Sequence, residues 1–118
     1  MAIDRTFEEE WKDCQQVFER KFGEGMDMQA ILFLIGVQEL GKGPLKFSKD
    51  EKVGVIHIAI CRLLAPFGYY ELEGEDQDGW PHYKNVKPLP PLQAGEQLKL
   101  MKQAVMDYVE DHREWFDI

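Results

Sequence analysis

The chain has few cysteines, no long apolar run and no basic, apolar leader at its start. Its two cysteines, Cys14 and Cys61, sit among apolar residues at helical spacing, so we expect reduced, buried thiols and no disulfide framework. The first residues, MAIDRTFEEE, have no apolar run after a basic start, and we expect no signal peptide. No stretch reaches the roughly 20 apolar residues that a membrane helix needs. We therefore expect a cytoplasmic protein with no membrane contact.

Basic residues are also in the minority. The sequence has 22 Asp and Glu against 14 Lys and Arg, which gives a net charge of −8 at pH 7. Such a charge favours solubility and opposes binding to nucleic acid or to an anionic lipid surface. Hydrophobic residues (44%) and charged residues (31%) occur in the proportions of a globular protein. With 118 residues and no internal repeat, residues 1–118 are expected to form a single domain.

The stretch from Met28 to Leu40 is apolar on every side. Nine of its 13 residues are apolar, and they surround the predicted helix instead of forming a stripe. A helix of this kind belongs in a membrane or at the centre of a packed domain, and this one is too short to cross a bilayer. Asp27 is placed to cap its start and Gly41 its end. We predict a central helix that the other elements cover, with Gly36 permitting close approach of a neighbour.

Three further helices are predicted from caps and apolar spacing. Capping boxes at Thr6 and Ser48 begin helices one and three, which end near Phe22 and Ala65. The last helix is predicted from about Gly95 to Glu114. The main buried face of helix three is expected to consist of Val53, Ile56, Ile60, Leu63 and Leu64.

Between helices three and four the pattern changes to alternation. Two strands are predicted over Tyr69–Glu73 and Trp80–Val86, joined by a polar turn that contains Asp78-Gly79. The predicted fold class is therefore mainly α (α+β). It is a four-helix orthogonal or bundle-like domain around a central buried helix, with one short antiparallel β-hairpin between helices three and four.

Two patterns that resemble metal or catalytic sites are incomplete. His57 and Cys61 lie one helical turn apart, but two ligands do not make a metal site, and neighbours on one helix point along parallel directions. The acidic turn Glu73–Gly79 fails as a calcium loop, because Gly74 and Asn85 fall at the positions where an EF-hand needs acidic ligands. We identify no catalytic, cofactor-binding or metal-binding residue, and no cofactor.

Lysines cluster in one part of this acidic chain. Lys42, Lys46, Lys49 and Lys52 occur within the segment Met26–Gly68, which has five bases against four acids. The cluster lies beside the predicted start of helix three, where an anion can bind, but the phosphate-loop motif GxxxxGK[ST] is absent. Two interpretations stay open for Lys42, Lys46 and Lys49: an anion-binding patch and a solvated face.

Aromatic residues are concentrated at two places expected to be peripheral, the hairpin and the end of the chain. Alternation would place Trp80, His82 and Lys84 on one face of the hairpin and Tyr83 on the other. One face must cover the core, and aromatic residues on the other would indicate a partner or ligand. Packing and an interaction surface are both kept open for these residues: Tyr70, Trp80, His82, Tyr83, Trp115 and Phe116.

The element order over residues 7–114 is similar to that of a winged-helix domain with an added C-terminal helix. The resemblance implies that helix three reads DNA and that the hairpin is the wing. The residues argue against this role, because helix three is too apolar to expose a reading face. The wing tip would also be repelled by phosphates, since it carries Glu73, Glu75, Asp76 and Asp78.

No triad, metal set or cofactor loop in the sequence supports an enzyme. We therefore predict a small acidic interaction module that binds a protein partner or a second copy of itself through the hairpin aromatics and the C-terminal helix. A winged-helix-like nucleic-acid-binding protein and a small enzyme without a recognisable motif are the alternatives.

Overall fold

The computed structural model of the protein describes residues 6–41 and 46–118 and contains four helices and one hairpin. Short 3₁₀ turns follow the third and fourth helices, and no helix of the described residues is long and apolar enough to cross a membrane. The predicted fold class is confirmed: the four helices are present, and the antiparallel hairpin lies between the third and the fourth. Their bounds are α1 Phe7–Phe22, α2 Met28–Leu40, α3 Lys49–Leu64, β1 Tyr70–Glu75, β2 Pro81–Asn85 and α4 Ala94–Asp111.

The helices begin where the sequence supplies a cap. Thr6 and Ser48 each accept a hydrogen bond from a backbone N–H three residues on, and the glutamate at that position reaches back to complete the capping box. Asp27 accepts from the N–H of Ala30 at 2.8 Å, and Gly41 ends α2 in the left-handed region with φ 68°. The ends predicted for α1 and α2 are therefore confirmed.

The described chain forms two compact units. The first combines α1 with α4, and its buried side chains include Trp11, Phe18 and Val105. Lys102 of α4 contacts two residues of α1. Its ammonium lies 3.5 Å from the Glu8 carboxylate and 5.6 Å from the centre of the Trp11 ring.

The second unit runs from Asp27 to Leu92 and contains α2, α3 and the hairpin. Both helices bury aliphatic side chains, among them Ile31 and Ile35 of α2 and Ile58 of α3. Gly36 of α2 lies directly against the Val55 carbonyl of α3, where an added Cβ would have no room. The close approach predicted from this glycine is therefore confirmed. The single domain, and the expected covering of α2 by helices one and four, stay predictions.

The hairpin pairs β1 with β2 in antiparallel register, with Leu72 opposite Tyr83 and a bulge between Leu72 and Gly74. Every residue of β1 after Tyr70 is exposed. In β2, His82 and Lys84 are exposed while Tyr83 is half-buried, as alternation predicts.

Substituting Gly36 by alanine should destabilise the protein by about 1–3 kcal/mol, because the new methyl group would collide with the Val55 carbonyl and lie 2.7 Å from Val55 Cγ1. Gly54→Ala is the matched control. Its methyl would meet only the Trp80 ring, at 3.4 Å, so helix propensity should leave stability equal or up to about 1 kcal/mol higher. Urea unfolding of both variants measures the difference, and equal stability of the two would contradict the tight contact.

Candidate interaction site

The hairpin aromatics are partly engaged in packing. Trp80 lies edge-on to Phe47 with ring centres 6.2 Å apart, and Phe47 lies edge-on to Phe33 of α2 at 5.8 Å. Tyr70 and Tyr83 are also half-buried. Trp80 precedes the first residue of β2, so the alternation of that strand does not fix its direction. This position explains why Trp80 packs inward although His82 is exposed.

The C-terminal aromatics pack on their own unit. Phe116 is only 5% exposed and meets the ring of Phe18 at 4.8 Å, edge to face. Trp115 is half-buried, with its ring 5.5 Å from that of Phe22 and the Lys21 ammonium above it. Phe116 is therefore buried in this unit, where the Phe18 ring of α1 covers it.

A cavity of about 260 Å³ lies between α3 and the hairpin, lined by both His57 and His82. Asp76 orders the hairpin turn beside it: one carboxylate oxygen accepts from the N–H groups of Asp78 and Trp80, and the other lies 3.1 Å from His82 Nε2. These contacts, the Trp80 N–H foremost and then His82, hold the pKa of Asp76 below its ordinary value.

The thiol near this cavity is not set up as a nucleophile. His57 Nε2 lies 3.4 Å from the Cys61 sulfur within α3, yet burial raises the pKa of Cys61 to about 11 and that of Cys14 to about 12. Both cysteines are free. Across residues 6–41 and 46–118, no three His, Cys, Asp or Glu side chains are grouped so that they could hold a metal ion.

A second concave surface lies between α2 and α3, with a volume of about 360 Å³. Ala30 and Phe33 of α2 form one wall, and Lys52 and Ile56 of α3 form the other. Asp27 and Gln29 complete the lining at the start of α2. We call this surface the lysine groove. Its walls are mostly aliphatic and aromatic carbon, which is typical of a site that accepts an apolar side chain.

The lysine that lines the groove is Lys52, and none of the lysines predicted as an anion patch is among the lining residues that the structure describes. Lys46 and Lys49 are exposed, whereas Lys42 lies outside the described residues. At 3.6 residues per turn, Lys49, Lys52, Val53 and Ile56 occupy a sector of roughly 100° on α3. Charged and apolar groups therefore alternate on the surface beside the groove.

Val53 is the residue that the sequence placed on the wrong side. It was expected in the buried face of α3, yet it is 66% exposed. Val55 meets Gly36 of α2, and a residue two positions earlier on a helix points roughly 200° away. The all-round apolar character of α2 was the signal for the groove, because such a helix must have every side covered and Ala30 and Phe33 are covered only in part.

Both thiols should resist iodoacetamide in the folded protein at pH 8 and react fully in guanidinium chloride. The reactive species is the thiolate, and burial of Cys14 and Cys61 suppresses its formation. Mass spectrometry of labelled native and denatured samples makes the comparison. Rapid labelling of either thiol in the native sample would show an accessible cysteine.

Replacing Asp76 by alanine should lower the urea midpoint at pH 7, because the hairpin turn loses its acceptor. The folded pKa of Asp76 is depressed, so its contribution is present above the unfolded value and is lost as the pH falls through the folded value. The difference from wild type should therefore shrink below the ordinary value of 3.8. Asp78→Ala is the control, and an equal loss in both variants at pH 7 would exclude the special role of Asp76.

Comparison of the chain with protein-family models, with characterised proteins and with solved structures finds no significant match. Any function must therefore be inferred from the arrangement of the residues themselves.

Proposed function

We propose that the protein is an interaction module that holds a segment of another protein chain in the lysine groove. The observation that carries the proposal is the half-open side of α2. Ala30 and Phe33 belong to a helix with no polar face, and they are half-buried beside a groove of about 360 Å³.

The surface beside the groove supports the same function. Lys52 lines the groove, and the exposed Lys49 lies less than one turn before it on the same helix. Aromatic and aliphatic walls with a charged rim are the composition expected of a protein-binding patch.

A partner protein fits better than a homodimer formed through the hairpin. The outer edge of β1 carries Glu71, Glu73 and Glu75, and a bulge interrupts the strand after Leu72. Charges and bulges on an edge strand oppose pairing with another strand. Two copies joined along β1 would also bring like charges together. The acidic hairpin tip argues in the same way against the winged-helix alternative.

An enzyme is supported less well than a binding module. The His82–Asp76 pair is used to order the hairpin turn, and the Cys61 thiol is held protonated by its burial. A cytoplasmic location, which suits two free buried thiols, is part of the proposal.

Selection from a displayed random-peptide library tests the proposal. We expect peptides enriched on the wild-type protein to lose binding to Ala30→Trp, because the indole would fill the groove. Ile56→Ala is a second variant that removes part of the opposite wall, and it should weaken the same peptides.

Gln16→Trp adds the same indole to an exposed position of α1 and should leave the enriched peptides bound. Circular dichroism and urea unfolding establish that each variant is folded. The proposal fails if no peptide is enriched, or if the enriched peptides bind wild type and both groove variants equally.

A further inference from the structure

We infer that the partner segment bound by the lysine groove is acidic and carries a large apolar side chain. The inference rests on the proposed function and adds the chemistry of the partner. The apolar side chain would enter between Phe33 and Ile56, and carboxylates beside it would meet Lys46, Lys49 and Lys52.

The first observation is that the three lysines have no partner within the described residues. Lys46, Lys49 and Lys52 form no ion pair or ring contact there. Of the other described lysines, Lys12 and Lys84 likewise form no such contact, whereas four are used internally. Lys21 and Lys102 each contact a carboxylate and an aromatic ring, and Lys87 and Lys99 each lie over an aromatic ring. The lysines beside the groove are thus available to a ligand.

The second observation is the direction of the charges on α3. Lys49 and Lys52 share their sector with Val53 and Ile56, whereas Asp50 lies roughly 100° and Glu51 roughly 200° around the helix from Lys49. The first turn of α3 therefore presents its bases to the groove side and its acids to other sides. Ser48 and Glu51 cap each other, so Glu51 already has a structural use.

The third observation is the charge of the chain as a whole. At −8, the protein repels polyanions at long range, so local lysines favour an anionic group only where other contacts add to binding. An apolar groove adds such contacts for a peptide side chain and adds none for a phosphate backbone. Asp27, at the start of α2, would repel carboxylates, so the acidic residues of the segment should lie along α3.

Fluorescence anisotropy of labelled peptides tests the inference. One probe has a leucine–tryptophan pair flanked by glutamates, and its counterpart has the glutamates replaced by lysines. We expect the wild-type protein to bind the acidic probe at least about tenfold more tightly than the basic one. The difference should shrink when the salt concentration rises, because exposed charge pairs are screened.

The double variant Lys49→Glu with Lys52→Glu should bind the acidic probe at least about tenfold more weakly. It should fold, because glutamates in the first turn of a helix suit the helix dipole. The charge-matched control is Lys12→Glu with Lys84→Glu, which changes two exposed lysines away from the groove and should leave binding within about twofold.

The outcomes separate the inference from the proposed function. If groove-dependent peptides are found but they are not acidic, or the Lys49/Lys52 variant binds them normally, the acidic partner is excluded and the interaction module survives. If no peptide depends on the groove, the acidic partner and the interaction module are both excluded. If single-stranded DNA or phosphatidylserine vesicles bind tightly and the same variant abolishes that binding, the ligand is a nucleic acid or an anionic membrane, and the acidic peptide is excluded. A mass of two copies in light scattering, abolished by Ala30→Trp, would make a second copy of this chain the occupant.

Discussion

The contact between Gly36 and Val55 fixes how the two central helices of the second unit meet. Because Gly36 has no side chain, the backbone of α3 approaches α2 as far as its Val55 carbonyl allows. That contact sets the rotation of α3 about its own axis. Val55 is buried, Val53 points away from α2, and Lys52 and Ile56 face the groove. The lysine groove lies between the same two helices.

The same contact shows why the local structure could be predicted and the groove could not. Caps such as Thr6 with Glu9 and Ser48 with Glu51 act over three residues, so the sequence itself contains both partners. Which side of α3 is buried depends instead on the turn that meets Gly36, and that is decided by packing between distant residues. Val53 was assigned to the buried side for this reason, since its apolar character fits either side.

The burial of the aromatic residues could not be predicted from the sequence either. Their number and position left packing and an exposed surface both open, and in the structure Trp80 contacts Phe47, which contacts Phe33, while Phe116 is covered by Phe18. A large ring near the end of an element buries itself wherever other rings are within reach, because its buried area stabilises the fold. The lysine cluster indicated the position of the candidate site better than the aromatic residues did. The side chains of Lys46, Lys49 and Lys52 are neither paired nor stacked within the described residues, and Lys52 lines the groove beside the half-buried Ala30 and Phe33 of α2.

The central claim is that the groove between α2 and α3 binds a partner segment, and amide chemical shifts measure this most directly. An ¹⁵N-labelled sample is titrated with the glutamate-flanked leucine–tryptophan peptide. The largest shift changes are expected at Ala30, Phe33, Lys52 and Ile56, with the strands of the hairpin nearly unchanged. Shift changes centred on the hairpin, or none at a peptide concentration that saturates the anisotropy signal, would contradict the account.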